Sequence, residues 1–310
     1  MPTAIVSHVE CRQHSMHDHH PEDPRRTDAI SDQLISSGLD LYLMYEDAPV
    51  VEREQLLRVH DEAYLDSLDE MAPDEGQELV EVDDDTAMNP YTLQAARRAA
   101  GAAVHGVDLV VNGRMDAVFC NVRPPGHHAE RDKAMGFSFY NNVAVGAAHG
   151  IQAHGLQRVA IIDFDVHHGN GTEDIFRDDP RVLFCSLFQH PFFPHTDPQS
   201  DRDHILKLPL ESGTGGAELR LAVDCAWLPA IERFQPQLIM VSAGFDAHRE
   251  DEMGHLRFVE RDYQWLTEQL TGIVDRVEGC HGIVSVLEGG YSPSALGRSA
   301  VAHIRALARV

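Results

Sequence analysis

The stretch Arg158-Val-Ala-Ile-Ile-Asp163-Phe-Asp165-Val166, running on into His167-His168-Gly169-Asn170-Gly171, decides how this chain is read. Val159 to Ile162 are all apolar, so no face of this segment suits water. That is the pattern of a strand covered on both sides, as in a parallel sheet packed between helices. The polar end then carries the chemistry. Strand alternation puts Asp163, Asp165 and His167 on one side. Two carboxylates and an imidazole beside a buried run repel one another and lose solvation unless a cation joins them. Zinc accepts carboxylate oxygen and imidazole nitrogen together, and a catalytic zinc keeps three protein ligands and one open position. Asp165 and His167 supply two. The bland alternative, polar residues capping the next helix, fits a lone Asp or His better than this run.

Further strands are expected at Thr3–Val9, Ala117–Val122, Val182–Leu187, Leu238–Phe245 and Gly282–Leu287, with Arg158–Val166 as the sixth. Helical spacing recurs between them. It spans Thr92–Val111, the run Leu219, Val223, Ala226, Ala230, Ile231 and Phe234, and the run Leu266 to Val277 behind a candidate N-cap at Asp262. The alternation predicts an α/β fold with a central, mostly parallel sheet flanked by helices, in one domain over residues 1–310. Pro73 to Asp85 is acidic and weakly apolar and is expected to be a surface loop. Four strands run into polar, Gly-containing ends: Arg123-Pro-Pro-Gly-His127-His128, His167-His168-Gly169, Asp246, and Glu288-Gly-Gly-Tyr291. Ligands of open α/β sheets bind at the carboxyl ends of strands. These four segments are therefore expected at one site, with Asp246 the best-placed third ligand.

The chain has 310 residues and a formal net charge of -25, which argues against direct nucleic-acid binding and allows steering of a cationic substrate. Cys11, Cys120, Cys185, Cys225 and Cys280 form no CxxC pair and read as reduced cysteines. No secretory signal or membrane-length apolar run is seen, and a cytoplasmic location is expected. His14, His17, His19 and His20 are expected to form a polar loop near the mouth of the site rather than a metal site.

Five motifs carry a resemblance: RPPGHHA (123–129), GFSFYNN (136–142), DFDVHHGNGTEDIF (163–176), SAGFDAH (242–248) and LEGGY (287–291). In this order they resemble the signatures of histone deacetylases, and HPEDPRR (20–26) resembles that family's N-terminal segment. The resemblance, closest to class II bacterial members, implies an arginase/deacetylase-like fold. It implies one Zn²⁺ on Asp165, His167 and Asp246. It makes His128 the general base, pairs His127 with Asp163, pairs His128 with Asn170, and makes Tyr291 the oxyanion donor. Gly136, Phe137, Phe193 and Met253 would line the acyl-lysine slot, with Phe137 and Phe193 as its aromatic walls. K⁺ is implied at an inner site (Asp163, Asp165, His167, Ser186, Leu187) and an outer one (Phe176, Asp179, Val182, His204). Relatives also form dimers and tetramers. Gly169 and His248 stand where a two-metal arginase-like enzyme would need acids, so a single catalytic metal is expected.

Three functions compete. One is hydrolysis of acyl-lysine side chains in proteins. Another is acetylpolyamine amidohydrolysis, against which Met253 stands where polyamine-selective relatives place a glutamate, although Glu250, Asp251 and Glu252 are near. The last is a non-catalytic acyl-lysine binder, against which every expected catalytic residue is present.

Overall fold

The computed structural model describes residues 2–310. Among the described residues ten strands are formed: β1 (Thr3–Ser7), β2 (Met44–Asp47), β3 (Val80–Glu81), β4 (Ala87–Met88), β5 (Ala117–Cys120), β6 (Val159–Asp163), β7 (Val182–Gln189), β8 (Ile205–Leu210), β9 (Leu238–Ala243) and β10 (Ile283–Leu287). Eight of them make one sheet in the order β2-β1-β5-β10-β9-β6-β7-β8, and every pairing in it is parallel. β3 and β4 form a separate antiparallel pair.

The helices are α1 (Arg25–Ser37), α2 (Arg53–Leu56), α3 (Glu62–Met71), α4 (Thr92–Val111), α5 (Asn142–Ala153), α6 (Asn170–Phe176), α7 (Gly216–Ala222), α8 (Leu228–Phe234), α9 (Glu260–Arg276) and α10 (Pro293–Ala308). The central strands are buried on both faces, and their alternate residues feed two cores. Val118, Val284 and Met240 pack with α4 and α5. Phe119, Ile239 and Ile283 pack with α1, α9 and α10. Burying one such Val, Leu or Ile is worth about 1.5–3 kcal/mol, so the middle of the sheet is a rigid base for its loops.

Several expectations are corrected. β6 stops at Asp163 rather than Val166. The chain curls there because the Asp165 N–H donates to Asp163 Oδ1 (3.1 Å) and the His167 N–H to Asp165 Oδ1 (2.9 Å). The carboxylates are thus gathered by side-chain turns, not by strict strand alternation. The segment 219–234 is not one helix: a wide π turn over Val223–Trp227 separates α7 from α8. Pro229 has no N–H for the preceding turn, which forces that adjustment. α9 starts at Glu260, and Asp262 sits in its first turn, where its carboxylate accepts the Val259 N–H at 3.0 Å. The 73–85 segment contains β3 and ends at a residue of the active-site cavity, described below. The expected polar histidine loop is divided: His14 is fully buried, bonded to Thr92 (2.8 Å), whereas His17 and His19 are exposed.

The five cysteines are free, with Cys11, Cys120 and Cys185 buried. Among the described residues no helix is long and apolar enough to cross a membrane.

Candidate active site

The four polar strand ends come from β5, β10, β9 and β6, which are consecutive in the sheet. Residues more than 160 positions apart in sequence therefore meet because their strands are neighbours in register.

Asp165, His167 and Asp246 form a buried group whose donor atoms all lie within 4.8 Å of one another. His167 Nδ1 is 3.0 Å from Asp165 Oδ1 and 3.3 Å from Asp246 Oδ2. The other carboxylate oxygens are occupied. Asp165 Oδ2 accepts the Gly289 N–H (2.8 Å), and Asp246 Oδ1 accepts the Val166 N–H (2.9 Å). Asp246 Oδ2 is buried with no hydrogen-bond partner. Gly289 is needed there, since a Cβ would lie 2.1 Å from that oxygen and 2.6 Å from Asp165 Oδ2. Burial and the neighbouring Asp165 push the Asp246 carboxyl up to about 7. Burial acts to raise Asp165 too, but His127 and His167 hold it well below the usual range. An orphaned buried oxygen, paired carboxylates and an imidazole nitrogen facing one point fit a divalent cation of zinc's preferences.

The second cluster of three potential ligands, Asp108, His149 and His154, does not fit one. Arg58 Nη1 is 2.8 Å from His149 Nδ1 and can only donate. His149 Nε2 must then carry hydrogen, which it gives to Asp108 Oδ1 (2.9 Å).

The tandem histidines are placed differently. His127 Nδ1 lies 2.9 Å from Asp163 Oδ2. Burial alone would lower its pKa, but Asp163 and Asp165 outweigh that and raise it to about 10. His128 Nδ1 lies 2.7 Å from Asn170 Oδ1. Burial, then the positive charge of His127 and His167, keeps its pKa well below the ordinary value, so the ring is neutral. The two rings are 4.0 Å apart. The two adjacent rings are thus driven in opposite directions, His127 toward the charged form and His128 toward the neutral one.

A cavity of 270 Å³ opens above them, lined by His128, Gly136, Phe137, His167, Phe193, Met253 and Tyr291, all expected, by Glu252, which the sequence placed near the rim, and by Asp85, Phe192 and His255, which sequence reading missed. Phe193 packs on His128 (5.2 Å) and Phe192 stacks on His167 (5.5 Å). Phe137 meets Tyr291 edge-on (5.9 Å), and His20 packs on Phe137 (4.6 Å), so one of the N-terminal histidines does stand near the mouth. Gly136 has φ +55°, and a Cβ there would lie 2.5 Å from His128 Cδ2.

Of the three acids near Met253, only Glu252 lines the cavity. Glu250 pairs with Arg298 (2.9 Å). Asp251 turns inward and accepts the N–H groups of Met253 (3.0 Å), Tyr291 (2.6 Å) and Ser292 (3.1 Å). Arg26, the second residue of α1, donates to the carbonyls of Gly290 (2.6 Å) and Glu288 and lies over the Tyr291 ring at 4.8 Å. Glu22 pairs with both Arg26 and Arg123. The HPEDPRR segment therefore braces the tyrosine loop, a role its charges alone do not announce.

Ser186 is the register partner of Asp163, and Leu187 follows it in β7, so these three of the residues expected for the inner K⁺ site lie together. The outer set is also local: the Asp179 N–H donates to Phe176 O, the Val182 N–H to Asp179 O, and His204 Nε2 lies 3.2 Å from Phe176 O.

The histone deacetylase domain family matches residues 20–307. A histone deacetylase-like amidohydrolase of Pseudomonas aeruginosa is 37% identical over 280 residues, covering 88% of this chain and 73% of that protein. The polyamine deacetylase HDAC10 of Homo sapiens is 34% identical over 326 residues, covering 99% of this chain and 48% of that protein. The crystal structure of the HDA15 HD domain superposes with a TM-score of 0.92 at 32% identity, covering 99% of this chain and 88% of that one.

Proposed function

Since the chain belongs to the histone deacetylase family and is a hydrolytic deacetylase, we propose that it hydrolyses the acyl amide of acetyl-lysine, or a related acyl-lysine, in proteins, with residues 1–310 acting as one catalytic domain. The observation that carries this reading is the 270 Å³ cavity with an aromatic, Met253-bearing wall that reaches His128 and His167. An extended, uncharged acyl-lysine arm suits such a slot.

In this reading Asp165, His167 and Asp246 hold the zinc on which the family depends. A bound zinc supplies Lewis acidity toward the acyl carbonyl and makes a water more acidic. His128 Nε2 accepts that water's proton as the water attacks and returns it to the leaving amine. His127, held as a cation by Asp163, stabilises the negative charge that builds on the carbonyl oxygen. Tyr291 donates its hydroxyl hydrogen to the same oxygen. Burial keeps that hydroxyl protonated against the pull of Arg26. K⁺ at the two sites named above would brace the β6–β7 strand ends.

A second reading, deacetylation of a small polyamine, is favoured by Asp85 and Glu252 on the cavity wall, which would attract a cationic tail. The test is kcat/KM on acyl-lysine peptides against acetylputrescine, with zinc quantified, before and after chelation and in potassium or tetramethylammonium buffer. Higher kcat/KM on peptides, lost on chelation and restored by zinc, is expected. A large polyamine preference would overturn the substrate assignment. Zinc binding without turnover on any substrate would favour a non-catalytic binder.

A further inference from the structure

Asn170 is itself held, by a residue with no assigned part. Glu130 lies two positions after His128, half-buried, and its Oε1 is 2.7 Å from Asn170 Nδ2. The other end of that amide, Oδ1, is 2.7 Å from His128 Nδ1. An asparagine alone does not determine which way its amide points, because its two ends differ in chemistry and hardly in shape. Asn170 Nδ2 also lies 3.4 Å from the His128 carbonyl oxygen and from Met135 Sδ, but Glu130 is its shortest contact and the only charged one, and it sets the direction most strongly. A carboxylate only accepts hydrogen bonds, so the group facing it is the amide NH₂. The amide oxygen then faces His128, and Nδ1 must carry the ring hydrogen. The lone pair is left on Nε2, toward the cavity.

We propose that Glu130 is a positioning residue for the deacetylase reaction, fixing the amide direction of Asn170 and through it the tautomer of His128. The inference rests on reading His128 as the base. It also accounts for an amide, rather than an acid, at position 170. Aspartate there would set two carboxylates in contact with no hydrogen between them. Exchanging both groups, Glu130→Gln with Asn170→Asp, restores a donor facing an acceptor and still presents an oxygen to His128.

The experiment compares wild type, E130Q, N170D, the double variant and H128A for kcat and KM on an acetyl-lysine peptide. Zinc content and Tm are recorded for each, and ¹⁵N shifts of the His128 ring in the zinc-loaded protein. E130Q is expected to lower kcat by about tenfold with KM little changed, and N170D by about a hundredfold. The double variant should recover at least about tenfold over N170D, a coupling that independent sites do not show. The ¹⁵N shifts should report hydrogen on Nδ1 in wild type and a tautomer mixture in E130Q. Failure of the double variant to improve on N170D, or an unchanged tautomer in E130Q, overturns the inference. H128A distinguishes the two levels. If it is inactive with zinc retained while rescue fails, only the role of Glu130 falls. If it keeps near-full turnover, the reading of His128 falls and the inference with it.

Discussion

Tyr291 is held from three sides. Its N–H is fixed by Asp251, its ring lies under the Arg26 guanidinium, and Phe137 meets it edge-on. None of these contacts uses the hydroxyl, so Tyr291→Phe should leave the ring where it is. We expect kcat to fall by about 10²–10³, the loss typical of one oxyanion donor, with zinc content unchanged. Steady-state kinetics with metal analysis checks this, and near-wild-type turnover would contradict the role. At this scale the buried Asp165, His167 and Asp246 group and the tandem histidines could be singled out because each follows an apolar strand, where a polar residue needs a reason. Asp251 and Glu130 were not. Each is one acid among several in a polar run, and its role is set by which amide it faces. Phe192 was eclipsed by Phe193, since adjacent aromatics give no periodicity to show which enters a cavity.

Among the elements, α9 shows how a start signal can be read three residues late. Asp262 is the residue that terminates the preceding extended chain, but it does so from inside the first turn, by accepting the Val259 N–H. It also pairs with Arg220 on α7 at 2.9 Å. Asp262→Ala removes both the cap and the tie between the helices. A loss of about 1–2 kcal/mol is expected in urea unfolding. A change below about 0.3 kcal/mol would show that neither bond matters for stability. Central strands were readable from their apolar runs, whereas β2 and β8 were missed. Both are edge strands with one side uncovered. β2 reads Met-Tyr-Glu-Asp, and β8 carries Pro209, which a central strand excludes.

At the scale of the whole molecule, buried neutral histidines tie stability to pH. His303 is fully buried between Thr267 (2.6 Å) and Ser285 (2.8 Å), and burial lowers its pKa to about 3; burial lowers His60 to about 4. Below the ordinary value of 6.5 the unfolded chain binds protons that these folded sites refuse. Stability therefore falls as pH drops from about 6.5 toward 3. His303→Gln should flatten that dependence by about 1.4 kcal/mol per pH unit between about pH 6 and pH 4, measured by urea unfolding at fixed zinc. An unchanged slope would mean that His303 is protonated in the fold. The α/β class was legible at this scale, but the strand order was not, because apolar runs do not say which strand lies beside which. That order has a consequence for synthesis. β10, latest in sequence of the ten strands, lies between β5 and β9. A nascent chain lacking it has two half-sheets, β2-β1-β5 and β9-β6-β7-β8, with no strand joining them. Domains form from the N-terminus as the chain emerges. Here the two halves, the histidine pair on one and the aspartates on the other, wait for the segment that also delivers the tyrosine. An unfinished chain can therefore hold Asp165, His167 and Asp246, the three residues proposed to bind zinc, and still have no assembled site.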